Sequence, residues 1–251
     1  MAYRYFLKLS YDGTAYCGWQ VQPNGNAVQA ELEKALAIVF RLPLQVTGAG
    51  RTDTGVHARE MYAHFDLPKP LEPEDCAQAI FKMNNLLPSD IAIQNIIPVH
   101  PEAHARFDAV SRTYDYHLLI QKNPFKERFA WYWQGNLDVD AMNIAAGKLI
   151  GTHDFQCFSK VHTEVNNYWC TVKKAEWCHS DEALVFTITA NRFLRNMVRA
   201  VVGTLFDIGR GKLQVHDLES IMQSRDRSSA GSSVPAKGLT LVRVEYPFDL
   251  P

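Results

Sequence analysis

Apolar residues recur along this chain with two periods, and the switches between them mark out its elements. Over residues 3–11, Tyr3, Tyr5, Leu7, Leu9 and Tyr11 alternate with Arg4, Lys8 and Ser10, and a period of two predicts a strand with one buried face. "YDGT" then predicts a turn. Residues 27–40 carry Val28, Leu32, Ala35, Leu36 and Val39 at helical spacing. "REMYAHFDL" (59–67) predicts a strand, "EPEDCAQAIFKMNNLLP" (72–88) a helix opened by a proline and acids, and "DIAIQNIIPV" (90–99) another strand.

The order then recurs. "SRTYDYHLLI" (111–120) predicts a strand with Tyr114, Tyr116, Leu118 and Ile120 on one face. "DVDAMNIAAGKLIG" (138–151) predicts a helix with an acidic start and a glycine after it. "ALVFTITA" (183–190) predicts a strand, residues 192–208 a helix and "GLTLVRVEYP" (238–247) a closing strand. Two halves of similar order predict an α+β protein built from two related ferredoxin-like units with mostly antiparallel sheets. The expected domains are residues 1–106 and 107–251. "QKNPFKERFAWYWQG" (121–135) looks like an insertion whose aromatics belong to a core or an interface. "SRDRSSAGSSVPAKG" (224–238) is a polar loop long enough to suspect a function.

Composition narrows the class. The chain has 251 residues, 47% hydrophobic and 21% charged, as in ordinary globular proteins. No apolar run approaches the roughly 18 residues that cross a bilayer, and the alternating start has no signal-peptide apolar segment. Five cysteines without a C-x-x-C pair predict reduced thiols in a cytoplasmic protein rather than a disulfide framework or a zinc site. The net charge is −1, so a polyanion would have to be held by local clusters of cations.

The chemistry concentrates in "VTGAGRTDTGVHARE" (46–60), where Asp53 stands among Gly48, Gly50 and Gly55. Such a loop lets backbone approach a ligand closely. A tight turn in which the aspartate bonds its own backbone is the plain alternative, but a turn requires neither Arg51 nor His57. An aspartic protease needs two carboxylates sharing a proton, and this chain has one "DTG", preceded by Gly-Arg-Thr rather than an apolar strand. "SYDGT" approaches the aspartyl-phosphatase pattern D-x-D-G-T, with Ser10 where the nucleophile would stand. "HPEAH" (100–104) has metal-like spacing, but Pro101 opposes a helix and no third ligand is evident, so no metal is expected.

Eight blocks in order resemble the tRNA pseudouridine synthase A family: "YDGTAYCGWQVQPN", "VQAELEKAL", "GAGRTDTGVHA", "LPSDIAI", "HARFDAVSRTYDYHL", "HDFQCF", "NRFLRNMVRAVVGTL" and "AKGLTLVRVEYP". The resemblance implies an isomerase that converts uridine to pseudouridine at tRNA positions 38, 39 and 40 of the anticodon stem-loop. It implies no cofactor, a homodimer partner, no membrane association, and an active-site cleft between the halves. It implies Asp53 as nucleophile on a flipped-out uridine, attacking C6 of the base or C1′ of the ribose, or acting through a glycal route. It implies that Tyr114 stacks on the uracil and later assists proton removal from C5. Arg199 would then keep Asp53 ionised, and Arg51 would replace the extruded nucleotide.

RNA also needs a cationic surface. Read as one helix, residues 192–208 put Arg192, Arg195 and Arg199 on one face and Leu194, Val198, Val201, Val202 and Leu205 on the other. That predicts RNA contact by Arg192 and Arg195, with a solvated charged face as the ordinary alternative. Arg106, Arg112 and Arg59 would extend the patch, with no separate role assigned to Arg59. A non-catalytic RNA-binding module is the competing class. It would order its aromatics along a central strand and would not need Asp53.

Overall fold

The structure is a computed structural model describing residues 2–23, 25–160 and 167–250. In chain order its elements are β1 (Tyr3–Tyr11), α1 (Val28–Phe40), β2 (Thr47–Gly48), β3 (His57–Leu67), α2 (Pro73–Leu86), β4 (Ile91–Pro98), β5 (Ser111–Leu119), β6 (Trp131–Tyr132), α3 (Val139–Gly147), β7 (Gly151–Asp154), β8 (Trp169–Ser180), β9 (Ala183–Ala190), α4 (Met197–Gly209), α5 (Asp217–Ser224) and β10 (Leu239–Glu245). By internal packing the chain divides into two compact units, Met1–Val110 with Leu241–Pro251, and Ser111–Thr240. The last eleven residues, which the sequence assigns to the second half, thus lie in the first unit.

In the first unit β1 is central, antiparallel to β3 on one side and to β4 on the other. β2 pairs with β3 through Thr47–His64 and Gly48–Ala63. The order β1, α1, β2, β3, α2, β4 is the split strand–helix–strand arrangement expected of a ferredoxin-like unit. α1 and α2 bury Leu32, Leu36 and Met83, and the sheet buries Leu7, Leu9 and Met61. α2 starts as its sequence predicts, with Pro73 at the first position and the Glu72 N–H donating to Asp75 Oδ2 at 3.2 Å.

One departure from strict alternation is informative. Phe6 is as buried as its neighbour Leu7, so β1 is covered on both faces at mid-strand. The second cover comes from the chain's end, where Tyr246 and Phe248 place their rings 5.2 Å and 6.1 Å from Phe6.

The second unit orders its strands β5-β9-β8-β7, all antiparallel, with the short β6 parallel to β5. Its core holds Tyr116, Phe155, Phe158 and Phe186. Along the chain β5, α3, β8, β9, α4 and β10 repeat the element order of the first unit.

Three expectations are corrected here. The helix expected over 138–151 ends at Gly147, and Gly151, at φ +116°, begins β7. The helix expected over 192–208 begins only at Met197, because Asn196 is left-handed at φ 65°. The strand expected to carry Ile120 ends at Leu119, leaving Ile120 exposed. β7, β8 and α5 had no sequence signal, and for β8 the reason is visible. Its pairing with β9 shifts between Val172 and Lys174. Buried Cys170 and Val172 are therefore out of step with buried Ala175 and Trp177, which breaks the period of two. Residues 161–166 of the unusual "KVHTEVNNYWCTVKK" segment lie outside the described residues.

The first unit carries a built-in acid sensitivity. Buried His64 accepts the Ala105 N–H on Nδ1 at 3.1 Å, and its ring stands 4.6 Å from that of His104. His104 Nδ1 in turn accepts the Arg106 and Phe107 N–H groups. Burial, reinforced by the charges of Arg4 and His104, holds His64 down to about 4, and burial also lowers His104. The His64 ring is thus held neutral in the folded chain down to about that pH, and His104 is shifted in the same direction. An unfolded histidine titrates near 6.5, so between about pH 6.5 and 4 the unfolded state binds more protons and folding stability declines as the pH falls. The urea midpoint is expected to be lower at pH 5 than at pH 7. An equal or higher midpoint at pH 5 would contradict this account.

Candidate active site

The loop bearing Asp53 is shaped by its neighbours. Upstream, the Ala49 N–H donates to Tyr62 O at 2.7 Å, continuing the β2 pairing. Thr52 is buried, and its hydroxyl lies 2.8 Å from the phenol of Tyr11. Downstream, the Val56 N–H donates to Asp53 O at 3.1 Å and closes a turn in which Gly55 has φ +76°. Gly55 N donates to Tyr16 O at 3.3 Å. Tyr16 is itself fixed by donating its phenol to Asp90 at 2.5 Å. Burial and that carboxylate push the phenol well above its usual range. Asp53 emerges half-buried and Arg51 exposed.

The "YCGWQ" segment packs directly on this loop. Trp19 N donates to Thr52 O at 3.2 Å. Gly18 has φ +97°, and a Cβ there would overlap Thr52 O and lie 3.2 Å from the Asp53 carbonyl carbon. The same segment caps α1. No side chain caps that helix, and its first N–H groups, of Val28 and Gln29, donate instead to Gly18 O (3.3 Å) and Trp19 O (3.0 Å). Helix α1, the glycine turn and the Asp53 loop are therefore one hydrogen-bonded assembly.

His57 has a structural task. It is buried, and its Nδ1 lies 3.0 Å from both the Gly13 N–H and Asp12 Oδ1. The amide is a donor in every state, so Nδ1 carries the lone pair and accepts it. Asp12 Oδ1 meanwhile accepts from Thr14 N at 3.0 Å and Thr14 Oγ1 at 2.5 Å. His57 thus ties the "YDGT" turn to the residues just after Asp53.

The second unit holds the other expected residues. Tyr114 on β5 is half-buried, with Phe193 edge-on at 5.2 Å. Tyr116, two residues on, is fully buried and donates its phenol to Pro235 O at 3.0 Å. Burial pushes that phenol far above its ordinary range, and the Arg199 guanidinium opposes the rise. Arg199 occupies the first turn of α4 and donates Nε to Val234 O at 2.8 Å. Because α4 starts at Met197, Arg192 and Arg195 do not share a helical face with Arg199. Arg192 donates to Asn167 at 3.3 Å, while Arg195 is exposed in the turn before the helix and accepts the Lys160 N–H on its carbonyl. The apolar side of the expected stripe does form, with Leu194, Val198, Val201, Val202 and Leu205 all buried. Of the aromatics in the 121–135 insertion, Phe125, Phe129 and Tyr132 are exposed, and the two tryptophans lean on this core. Trp131 and Trp133 pack on Phe206 at 4.6 Å and 4.9 Å, and Arg210 lies 4.8 Å over Trp133.

The profile of the tRNA pseudouridine synthase family matches residues 9–108 and 145–247. The chain belongs to this family. It is therefore an isomerase of uridine in tRNA. Among its relatives, tRNA pseudouridine synthase A of Parabacteroides distasonis is 49% identical over 247 residues, spanning 98% of this chain and 97% of that one. The synthase of Porphyromonas gingivalis is 51% identical over 249 residues (98% of each chain), and that of Bacillus subtilis 40% over 242 (95% and 97%). Within the family's matched residues lie Arg51, Asp53, Arg192, Arg195 and Arg199. Tyr114 falls in the intervening stretch, together with the 121–135 insertion. Two residues of structural weight escaped the sequence reading. Gly18 was not separable there from any other turn glycine, and Arg227 was one cation in a polar loop.

Proposed function

We propose that Asp53 is the nucleophile with which this synthase isomerises uridines of the tRNA anticodon stem-loop, at tRNA positions 38, 39 and 40. The observation that carries the reading is the Asp53 loop, a half-buried aspartate between buried Thr52 and buried His57 whose backbone is fixed by the Tyr11–Thr52 contact, by Trp19 N on Thr52 O and by Val56 N on Asp53 O. The reaction breaks the N1–C1′ bond, rotates the uracil and joins C5 to C1′; C5 loses a proton and N1 gains one, so it consumes no co-reactant. The attacking carboxylate must be ionised. Contact with a stacked base would disfavour that state, and a guanidinium would restore it, which is the role given to Arg199. Tyr114 stacks on the target base and assists the final proton removal. Extruding the uridine costs a few kcal/mol, offset by Arg51, whose planar cation both stacks and pairs with phosphate. Arg192 and Arg195 contact phosphates, and two copies of the chain bind one tRNA in the cytoplasm. Attack at C6 and attack at C1′ are both compatible with this assignment, whereas a glycal route would use Asp53 as a base on the ribose C2′ proton.

The test is to incubate the protein with unmodified tRNA transcripts and map pseudouridine by sequence position. Product confined to the anticodon stem-loop is expected. Product confined to another arm would overturn the substrate assignment while leaving the isomerase chemistry standing.

A further inference from the structure

Helix α4 presents Arg199 from its first turn, yet much of what fixes that side chain lies outside the helix. Both ends of Arg199 are bonded to Val234: its carbonyl accepts the Val234 N–H at 3.2 Å, and its Nε donates to Val234 O at 2.8 Å. The placement of the guanidinium therefore follows the placement of residues 230–235, a strap laid across the start of α4.

The strap is held at several points. Gly231 N donates to the buried Thr204 hydroxyl at 2.8 Å, and that hydroxyl donates to Ala200 O at 3.0 Å. The strap lies so close to the helix that a Cβ on Gly203 would overlap Ser232 O. Asn196, held left-handed just before the helix, donates Nδ2 to Ser233 Oγ at 2.6 Å. Arg227 then binds the strap from its other end. Its NH1 donates to Gly231 O at 3.1 Å and Ala230 O at 3.4 Å, and its NH2 donates to Ser233 Oγ at 3.0 Å.

Arg227 is half-buried, and these three side-chain bonds all go to the strap. It spends its fork of donors on three neutral acceptors of a single loop. An ammonium cannot span them, since it is a compact point charge without a planar fork. We propose that Arg227 is a positioning residue that sets the 230–235 strap and, through Val234, the orientation of the Arg199 guanidinium. This rests on the reading of Arg199 as the cation that serves the nucleophile.

The test uses the whole protein and unmodified tRNA, comparing Arg199→Lys, Arg227→Lys, Ser233→Ala and the Arg199→Lys/Arg227→Lys double variant. Arg227→Lys is expected to lower kcat about tenfold or more, as a misplacement near one ångström does, with KM for tRNA within about twofold. That loss of kcat without a matching change in KM, at an unchanged fraction of folded protein, is what a merely structural role would not give. Ser233→Ala, which removes the acceptor shared by Asn196 and Arg227, should show a smaller change of the same kind. The double variant should be no worse than Arg199→Lys, since both act through one group. Full kcat in Arg227→Lys beside an impaired Arg199→Lys overturns the positioning role alone. Multiplying losses in the double variant do the same. Full activity in Arg199→Lys instead removes the role given to Arg199, and the positioning role with it.

Discussion

Asp53→Asn is expected to abolish pseudouridine formation while leaving tRNA binding within about twofold. The replacement is isosteric, so it removes the charge and nucleophilicity of the carboxylate without opening space. Loss of a group that forms the covalent intermediate costs about a thousandfold or more in rate. The loop should survive the change. Its shape is carried by the Tyr11–Thr52 contact, by Trp19 N on Thr52 O and by Val56 N on the Asp53 backbone carbonyl, and asparagine keeps that backbone. Filter binding of labelled tRNA and a pseudouridine assay on the same preparation separate the two quantities. Undiminished product from the variant would falsify the assignment of Asp53. Equal loss of product and of binding would show instead that the loop holds RNA.

Gly18→Ala tests whether the loop depends on its neighbour's backbone. At φ +97° an alanine is strained by roughly 1–3 kcal/mol, and its Cβ would occupy the position of Thr52 O. Either the "YCGWQ" segment retreats, stretching the Trp19–Thr52 bond and the Gly18 and Trp19 carbonyl caps of α1, or the Asp53 loop moves. Both routes lower stability, and the second also displaces the nucleophile. The melting temperature should fall by about 5 °C, and kcat by about tenfold or more. Gly50→Ala is the natural control. Gly50 belongs to the same loop sequence, but a Cβ there meets nothing within 4 Å, so its effect on melting should stay within about 0.5 kcal/mol. Equal melting temperatures for the two variants would show that Gly18 tolerates a side chain and that the close approach has no mechanical role.

The two glycines show where local reading ends. Both stand in turn-like surroundings in the sequence, and the overlap that separates them comes from residues some 34 positions away from Gly18. The elements were more legible. β1, α1, β3, α2, β4, β5, β9 and β10 all announce themselves through apolar periodicity, because each buries a defined stripe or face. The exceptions have physical causes. β8 carries a bulge that shifts its apolar phase. The stretch before α4 has helical composition, but the sign of φ at Asn196 is not written in its hydrophobicity. The Arg192–Arg195–Arg199 stripe was lost with that start, and α4 is buried on nearly every side, all of its residues but Arg199 and Asp207, rather than on one apolar face.

By itself, the sequence determined the α+β class, most of the strands and helices, the family, and the framing of Asp53 by glycines, Arg51 and His57. These are properties of short segments, since burial period, turn chemistry and motif spacing are all recorded within a dozen residues. Only the tertiary structure decided that His57 serves the Gly13 turn, that Gly18 admits the Thr52 carbonyl, that the chain's end covers Phe6, and that Arg227 reaches Arg199 through the strap. Each of those depends on the path of the backbone through space. A contact between distant residues leaves no period in either segment that makes it.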